Sequence, residues 1–322
     1  MTNQTRTKKA RHHRAPILFF IIFVALIVFT VQKAIASRSE GSLFESLPSS
    51  EVVQNDTEAK SEGNENSDWE QITMAKEDLS LGNLILVSNT APYDFKNKLD
   101  LVGVFDQKTR SYNVKDKGVL LQKNVIKNLN SLMDDFVKIS GLRTINIVAG
   151  YRTLEFQQEL YNNSVAENGE EHAAKYVAQP GGSEHHTGLA ADLSIYYTDS
   201  GITEEYIGDG TYSWINDNAW KYGFVQRYKS GKENITAINE EPWHFRYVGL
   251  PHAQIMVDNN LCLEEYLDYL KGYPFDGEHL FVESQGQKYE IYFCKGFDVH
   301  VPKDKDYDIS GNNVDGFIVT AY

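Results

Sequence analysis

Residues 180–197, PGGSEHHTGLAADLSIYY, constrain any fold this chain can adopt. Asp192 sits inside a run apolar enough to be buried, and two adjacent histidines, His185 and His186, precede it closely. A buried carboxylate has to be paired, hydrogen-bonded or bound to a cation, because a bare charge in an apolar interior costs too much free energy. LAADLSIYY alternates well enough to be a strand, and successive side chains of a strand point to opposite faces. Asp192 then shares a face with Ala190 and Ser194, whereas Leu189, Leu193 and Ile195 share the other. The aspartate points away from the apolar side, beside a small residue that leaves room for an ion. Thr187-Gly188 permits a turn that brings His185 back over the strand. Adjacent side chains diverge, so only one of the two histidines is expected to ligate.

Catalytic zinc sites take three protein ligands and keep one position for water. The segment EPWHFRYVG, residues 241–249, supplies a third candidate, His244, with Glu241 three residues before it. A carboxylate near such a cluster but outside its coordination sphere is what metal-assisted hydrolysis needs to move a proton from water to a leaving amine. Taken alone, a His–Asp pair is more often an ordinary hydrogen bond; the second acid-plus-histidine cluster is what favours a single metal ion. His12 and His13 belong to a basic segment. His172, His252, His279 and His300 have no clustered partner and read as ordinary surface or core residues.

The N-terminal part has a different character. Arg6, Lys8, Lys9, Arg11 and Arg14 precede APILFFIIFVALIVFTV, residues 15–31, which contains no charge. Its length meets the lower limit of about 17 residues for a bilayer-crossing helix. The basic flank predicts a cytoplasmic N-terminus. Residues 1–14 are thus a cytoplasmic basic segment and 15–36 a transmembrane signal anchor, with the body outside the membrane. A cleaved signal peptide ending at Ala34-Ile35-Ala36 is the alternative. Residues 37–77 are polar, acidic and poor in large apolar side chains, the composition of a disordered stalk. The net charge is −14, and the first 36 residues hold six basic residues and no acid, so the rest carries −20. Such an acidic body excludes nucleic acid as a partner, since phosphate binding requires basic patches.

Coarse periodicity places a strand in LGNLILVS, a helix over 121–139, a strand in RTINIVAGY and a helix in TLEFQQELYNNSVAEN with Phe156, Leu160 and Tyr161 on one side. WINDNAWKYG reads as a short helix stopped by Gly223, FVQRY and WHFRYVG as strands, and LEEYLDYLKG as a helix. From residue 272 the chain is β-rich, with a hairpin around Gln285-Gly286 and a strand in GFIVTA. Two cysteines, Cys262 and Cys294, could form a disulfide outside the membrane or remain separate thiols.

Ser183-x-His185-x-x-Gly188-x-Ala190-x-Asp192 followed by Glu241-x-x-His244 resembles the signature of the VanY-like D-alanyl-D-alanine carboxypeptidases, zinc enzymes that trim peptidoglycan stem peptides. GYRTLEFQQELY, WINDNAWKYGFVQRY and EPWHFRYVGLPHA are similar as well, so the resemblance covers residues 80–270. It implies one zinc ion on His185, Asp192 and His244, with Glu241 as general base and then acid. It also implies that Arg152 stabilises the oxyanion of the tetrahedral intermediate. Gln157 and Ser183 would contact substrate, although a helix-surface or turn-capping role suits them nearly as well. Trp243 and Tyr247 would line the pocket or fill the core. The expected fold is α+β: a zinc peptidase core at 78–271 with an antiparallel sheet and flanking helices, a small C-terminal β appendage at 272–322, and the N-terminal transmembrane helix. The expected activity is removal of a C-terminal D-alanine. An L,D-carboxypeptidase acting on tetrapeptide stems and a non-catalytic zinc module binding wall peptide are the alternatives. The appendage could dock the enzyme to the wall.

Overall fold

The computed structural model describes residues 68–322. The basic segment, the anchor and the stalk up to residue 67 lie outside the described residues. Among those described, no helix is long and apolar enough to cross a membrane.

The chain forms a mixed α/β fold. Its strands are β1 (Trp69–Thr73), β2 (Leu101–Gly103), β3 (Asn113–Val114), β4 (Leu120–Gln122), β5 (Ile145–Ala149), β6 (Ala190–Tyr197), β7 (Ile202–Glu205), β8 (Phe224–Tyr228) and β9 (Glu241–Tyr247), then β10 (Leu280–Ser284), β11 (Gln287–Lys295), β12 (Asp298–Pro302), β13 (Tyr307–Gly311) and β14 (Gly316–Ala321). The main helices are α1 (Lys123–Ser140), α2 (Leu154–Asn168), α3 (Glu170–Tyr176), α4 (His252–Asp258) and α5 (Leu263–Leu270). The central sheet runs β3-β5-β6-β9-β8, with β7 paired to the far end of β6. All its pairs are antiparallel except β3 with β5.

Helix α1 forms where predicted, because Val125, Ile126, Leu129, Leu132, Met133 and Phe136 recur at three- and four-residue spacing and are buried. It covers the sheet face made by Ile145, Ile147, Leu193 and Ile195. The opposite face, carrying Asp192 and His244, is left for the site.

Several expectations are corrected. LGNLILVS forms no strand; only Ser88 makes an isolated bridge, to Ala91. The segment is extended and buries Leu84, Ile85 and Val87, with its backbone groups met by scattered side-chain and backbone partners and not by a continuous strand ladder. Leu84 N–H donates to Ser310 Oγ at 2.9 Å, and the Asn83 and Ile85 carbonyls accept from Arg246. In α2 the inward residue is Gln157, while Phe156 is 48% exposed. Thr153 caps the helix by accepting the Phe156 N–H, which fixes the helix start and turns Gln157 inward. Ordered structure also begins earlier than residue 78, since β1 pairs antiparallel with β12.

The C-terminal strands form the predicted hairpin, and the second sheet runs β10-β11-β14-β13. One face of this sheet packs, with β12, in a cluster of its own, Tyr292, Cys294, Phe317 and Val319 with Val299 and Val301; the other face shares its core with the helices. Ile291, Phe293 and Ile318 pack in one cluster with Ala253, Ile255, Met256, Leu263, Leu267 and Leu270 of α4 and α5. Cys262 and Cys294 are buried free thiols, so no disulfide staples the sheet.

His252 bridges the same junction. One ring nitrogen meets Tyr266 Oη at 2.7 Å and the other Thr320 Oγ1 at 3.0 Å. Burial pushes His252 down to about 3. In the unfolded chain it titrates near 6.5, so between pH 6.5 and about 3 the unfolded state holds the extra proton and stability falls as pH falls. His252→Gln is therefore expected to lose less stability than wild type between pH 7 and pH 4, read as denaturation midpoints. An equal loss in both would remove His252 from that dependence.

Candidate metal centre

Asp192 and His244 are direct cross-strand partners on β6 and β9. His244 Nδ1 lies 2.9 Å from Asp192 Oδ1. His185 arrives on a single turn, Glu184–Thr187, closed by Gly188 at φ 68°. A side chain there is disfavoured twice: the left-handed backbone resists it, and a Cβ would lie 2.6 Å from Leu101 Cδ2. The turn sets His185 Nε2 3.1 Å from Asp192 Oδ2 and crosses its ring with that of His244 at 88°. One ligand atom from each of the three residues lies within 4.8 Å of the others, and all three residues are buried.

The donor chemistry fits a cation. His185 Nδ1 sits 2.6 Å from the Gly150 carbonyl, which can only accept, so Nδ1 carries the proton. Burial, reinforced by the charge of Arg152, pushes His185 down to about 4. Its bare Nε2 then confronts a carboxylate oxygen, lone pair to lone pair. Burial resists ionisation of Asp192 too, but the histidines beside it outweigh that and hold it well below the usual range. Burial resists protonation of His244, but its hydrogen bonds to Asp192 and Glu184 outweigh that and raise it to about 9, so a metal bound there displaces a proton. Two imidazoles and one carboxylate around one point are the ligand set of a divalent transition metal.

Glu241, at the start of β9, is buried, and its Oε2 lies 3.7 Å from His244 Nδ1. Burial raises it to about 7; a nearby cation draws a carboxylic acid back toward its ordinary range. Arg152 donates to Asp192 Oδ2 at 2.8 Å and to Gln157 Oε1 at 3.4 Å. Gln157 is anchored through its amide to the Ala178 carbonyl at 2.9 Å. Ser183 makes no capping hydrogen bond to the turn it precedes. All of these line one cleft of about 270 Å³ together with Tyr228 and Trp243. Tyr247 does not: it lies in the core cluster and accepts from Asn128 Nδ2 at 3.1 Å. As expected, His186 diverges from His185; it spans the Arg152 carbonyl and the Gly181 N–H, tying the loop to the strand end.

The sequence reading passed over Glu184, Arg227 and Arg246, all fully buried behind the histidines. Glu184 Oε1 accepts from Arg227 Nε and Arg246 Nη1, both at 2.7 Å. The available signal was two arginines on strands rich in apolar and aromatic residues, FVQRY and WHFRY, where a buried arginine requires a counter-charge.

Two histidines and an aspartate, with a free acid and a guanidinium facing the same small cleft, define a metal-assisted hydrolase. Known proteins narrow the class. Residues 118–250 match the family model described as VanY, D-alanyl-D-alanine carboxypeptidase. A D-alanyl-D-alanine carboxypeptidase of Enterococcus faecium is 34% identical over 316 residues, 95% of this chain and 96% of the relative. The bifunctional D-Ala-D-Ala dipeptidase and carboxypeptidase VanXYC of Enterococcus gallinarum is 40% identical over 48% of this chain and 81% of its own. The crystal structure of the D,D-dipeptidase VanXYg with a D-Ala-D-Ala phosphinate analog superposes with a TM-score of 0.69 at 39% identity, covering 79% of this chain and 98% of that one. The chain belongs to the VanY family of D-alanyl-D-alanine carboxypeptidases.

His185→Ala and His244→Ala should each abolish stoichiometric zinc binding while the protein still melts cooperatively. Metal analysis of purified variants checks this, and unchanged zinc content in either would mean the ligands lie elsewhere.

Proposed function

We infer that this protein is a zinc-dependent D-alanyl-D-alanine carboxypeptidase that removes the terminal D-alanine from peptidoglycan stem peptides. The observation that carries the reading is the convergence of His185, Asp192 and His244 beside Glu241 and Arg152 in one cleft. The relatives named above act on the same D-Ala-D-Ala unit. We further propose that residues 15–36 anchor the protein as a single membrane span, with the catalytic body outside and its substrate in the wall. The charge-free run with its basic flank supports this.

His185, Asp192 and His244 would hold the zinc, which supplies Lewis acidity that polarises an amide carbonyl and acidifies water. The chain's own residues do the rest. Glu241, aimed at the cluster from β9, takes a proton from the attacking water and returns it to the departing amine of D-alanine. Arg152 already donates into the cleft at Asp192 and has further N–H groups to offer the developing oxyanion, where fixed charge contributes most. Gln157 holds Arg152 from the other side, and Ser183 offers a hydroxyl that its own turn does not use.

Glu241→Ala is expected to keep zinc bound and to lower turnover about 10²–10⁴-fold, the usual cost of losing a general base. The assay is mass analysis of penta- and tetrapeptide stems after incubation with the purified protein. Wild type should shorten the pentapeptide by one alanine. Exclusive cleavage of the tetrapeptide would reassign it as an L,D-carboxypeptidase, and uncut peptide recovered from the zinc-loaded protein would make it a binding module.

A further inference from the structure

Glu184 stands directly before a proposed zinc ligand, yet its carboxylate has no access to solvent. Its Oε1 is fully used, accepting from Arg227 and Arg246. Its Oε2 faces one group, Nε2 of His244, at 3.4 Å. Neither arginine is free to move. Arg227 forms a two-pronged pair with Glu264, at 2.9 and 2.7 Å. Arg246 spends its other N–H groups on the carbonyls of Asn83, Ile85 and Tyr247. Glu184 and Glu264 therefore balance Arg227 and Arg246 in charge, and the carboxylate of Glu184 is held rigidly with one oxygen aimed at the histidine.

A neutral imidazole has one N–H and one lone pair. Both ring nitrogens of His244 face carboxylates, Nδ1 that of Asp192 at 2.9 Å and Nε2 that of Glu184 at 3.4 Å; Asp192 belongs to the proposed ligand set and Glu184 does not, so a metal at the cluster takes the Nδ1 side and leaves the hydrogen on Nε2 for Glu184. We propose that Glu184 is the positioning residue of the metal centre: clamped by Arg227 and Arg246, it takes the Nε2–H of His244 and so presents Nδ1 to the metal. The proposal rests on the reading of His185, Asp192 and His244 as the zinc site. Carboxylates placed behind ligating histidines in this way fix the tautomer and strengthen the ligand.

The test uses the full chain in detergent, with zinc affinity measured by chelator competition. Glu184→Gln, with its fold checked by circular dichroism, should bind zinc about 10–100-fold more weakly than wild type, the usual effect of losing such a partner, with KM for the stem peptide little changed. Equal zinc affinity in a folded Glu184→Gln protein would overturn the proposal while leaving the zinc site standing; failure of wild type to bind zinc would overturn both. Should Glu184→Gln not fold, the wild type decides. Histidine-selective ¹⁵N NMR of the zinc-loaded protein should show His244 protonated at Nε2, and protonation at Nδ1 would refute the assignment.

Discussion

The site depends first on the register of β6 against β9. Asp192 opposes His244 across that ladder, and both point away from the face covered by α1. Strand side chains alternate strictly, so a slip of one residue would drive either the carboxylate or the imidazole into the apolar core and bring Leu193 or Phe245 to the cleft in its place. Burial of Leu193, Phe245 and their neighbours thus fixes the geometry of the polar face as firmly as any contact within it. His185 needs only one tight turn to complete the cluster, and Gly188 is what makes that turn possible.

Behind the cleft the chain tolerates an expensive arrangement. Breaking a buried ion pair by removing one partner typically costs about 3–5 kcal/mol, and here Glu184 sits between two arginines. The supports reach far along the sequence. Ser310 and Asn313 hold the segment around residues 84–92 through its backbone, and carbonyls of Asn83 and Ile85 hold Arg246. The C-terminal sheet is thereby joined to the metal centre by a short series of hydrogen bonds, in addition to the core it shares with α4 and α5.

How far the sequence revealed this varied with the kind of interaction. The cluster itself was legible, because an aspartate in an alternating strand and a distant acid–histidine pair are local patterns. So was α1, whose apolar stripe is regular. Gln157 on the inner face of α2 was not, since that helix has no clear stripe and its orientation comes from a cap and a loop carbonyl. The strand expected in LGNLILVS failed because its apolar residues signalled burial and not pairing. Glu184 gave no signal of its own, because its two arginines lie 43 and 62 residues downstream and only the folded sheet brings them together. The integration of the C-terminal sheet was hidden for the same reason: each half of the shared core looks like an ordinary amphipathic element.

The most direct measurement is anomalous diffraction at the zinc absorption edge from crystals of the protein. The account predicts one strong peak within bonding distance of His185 Nε2, the Asp192 carboxylate and His244 Nδ1, with Glu241 close by but outside the coordination sphere. A peak elsewhere, or none between those three side chains in zinc-loaded crystals, would contradict it.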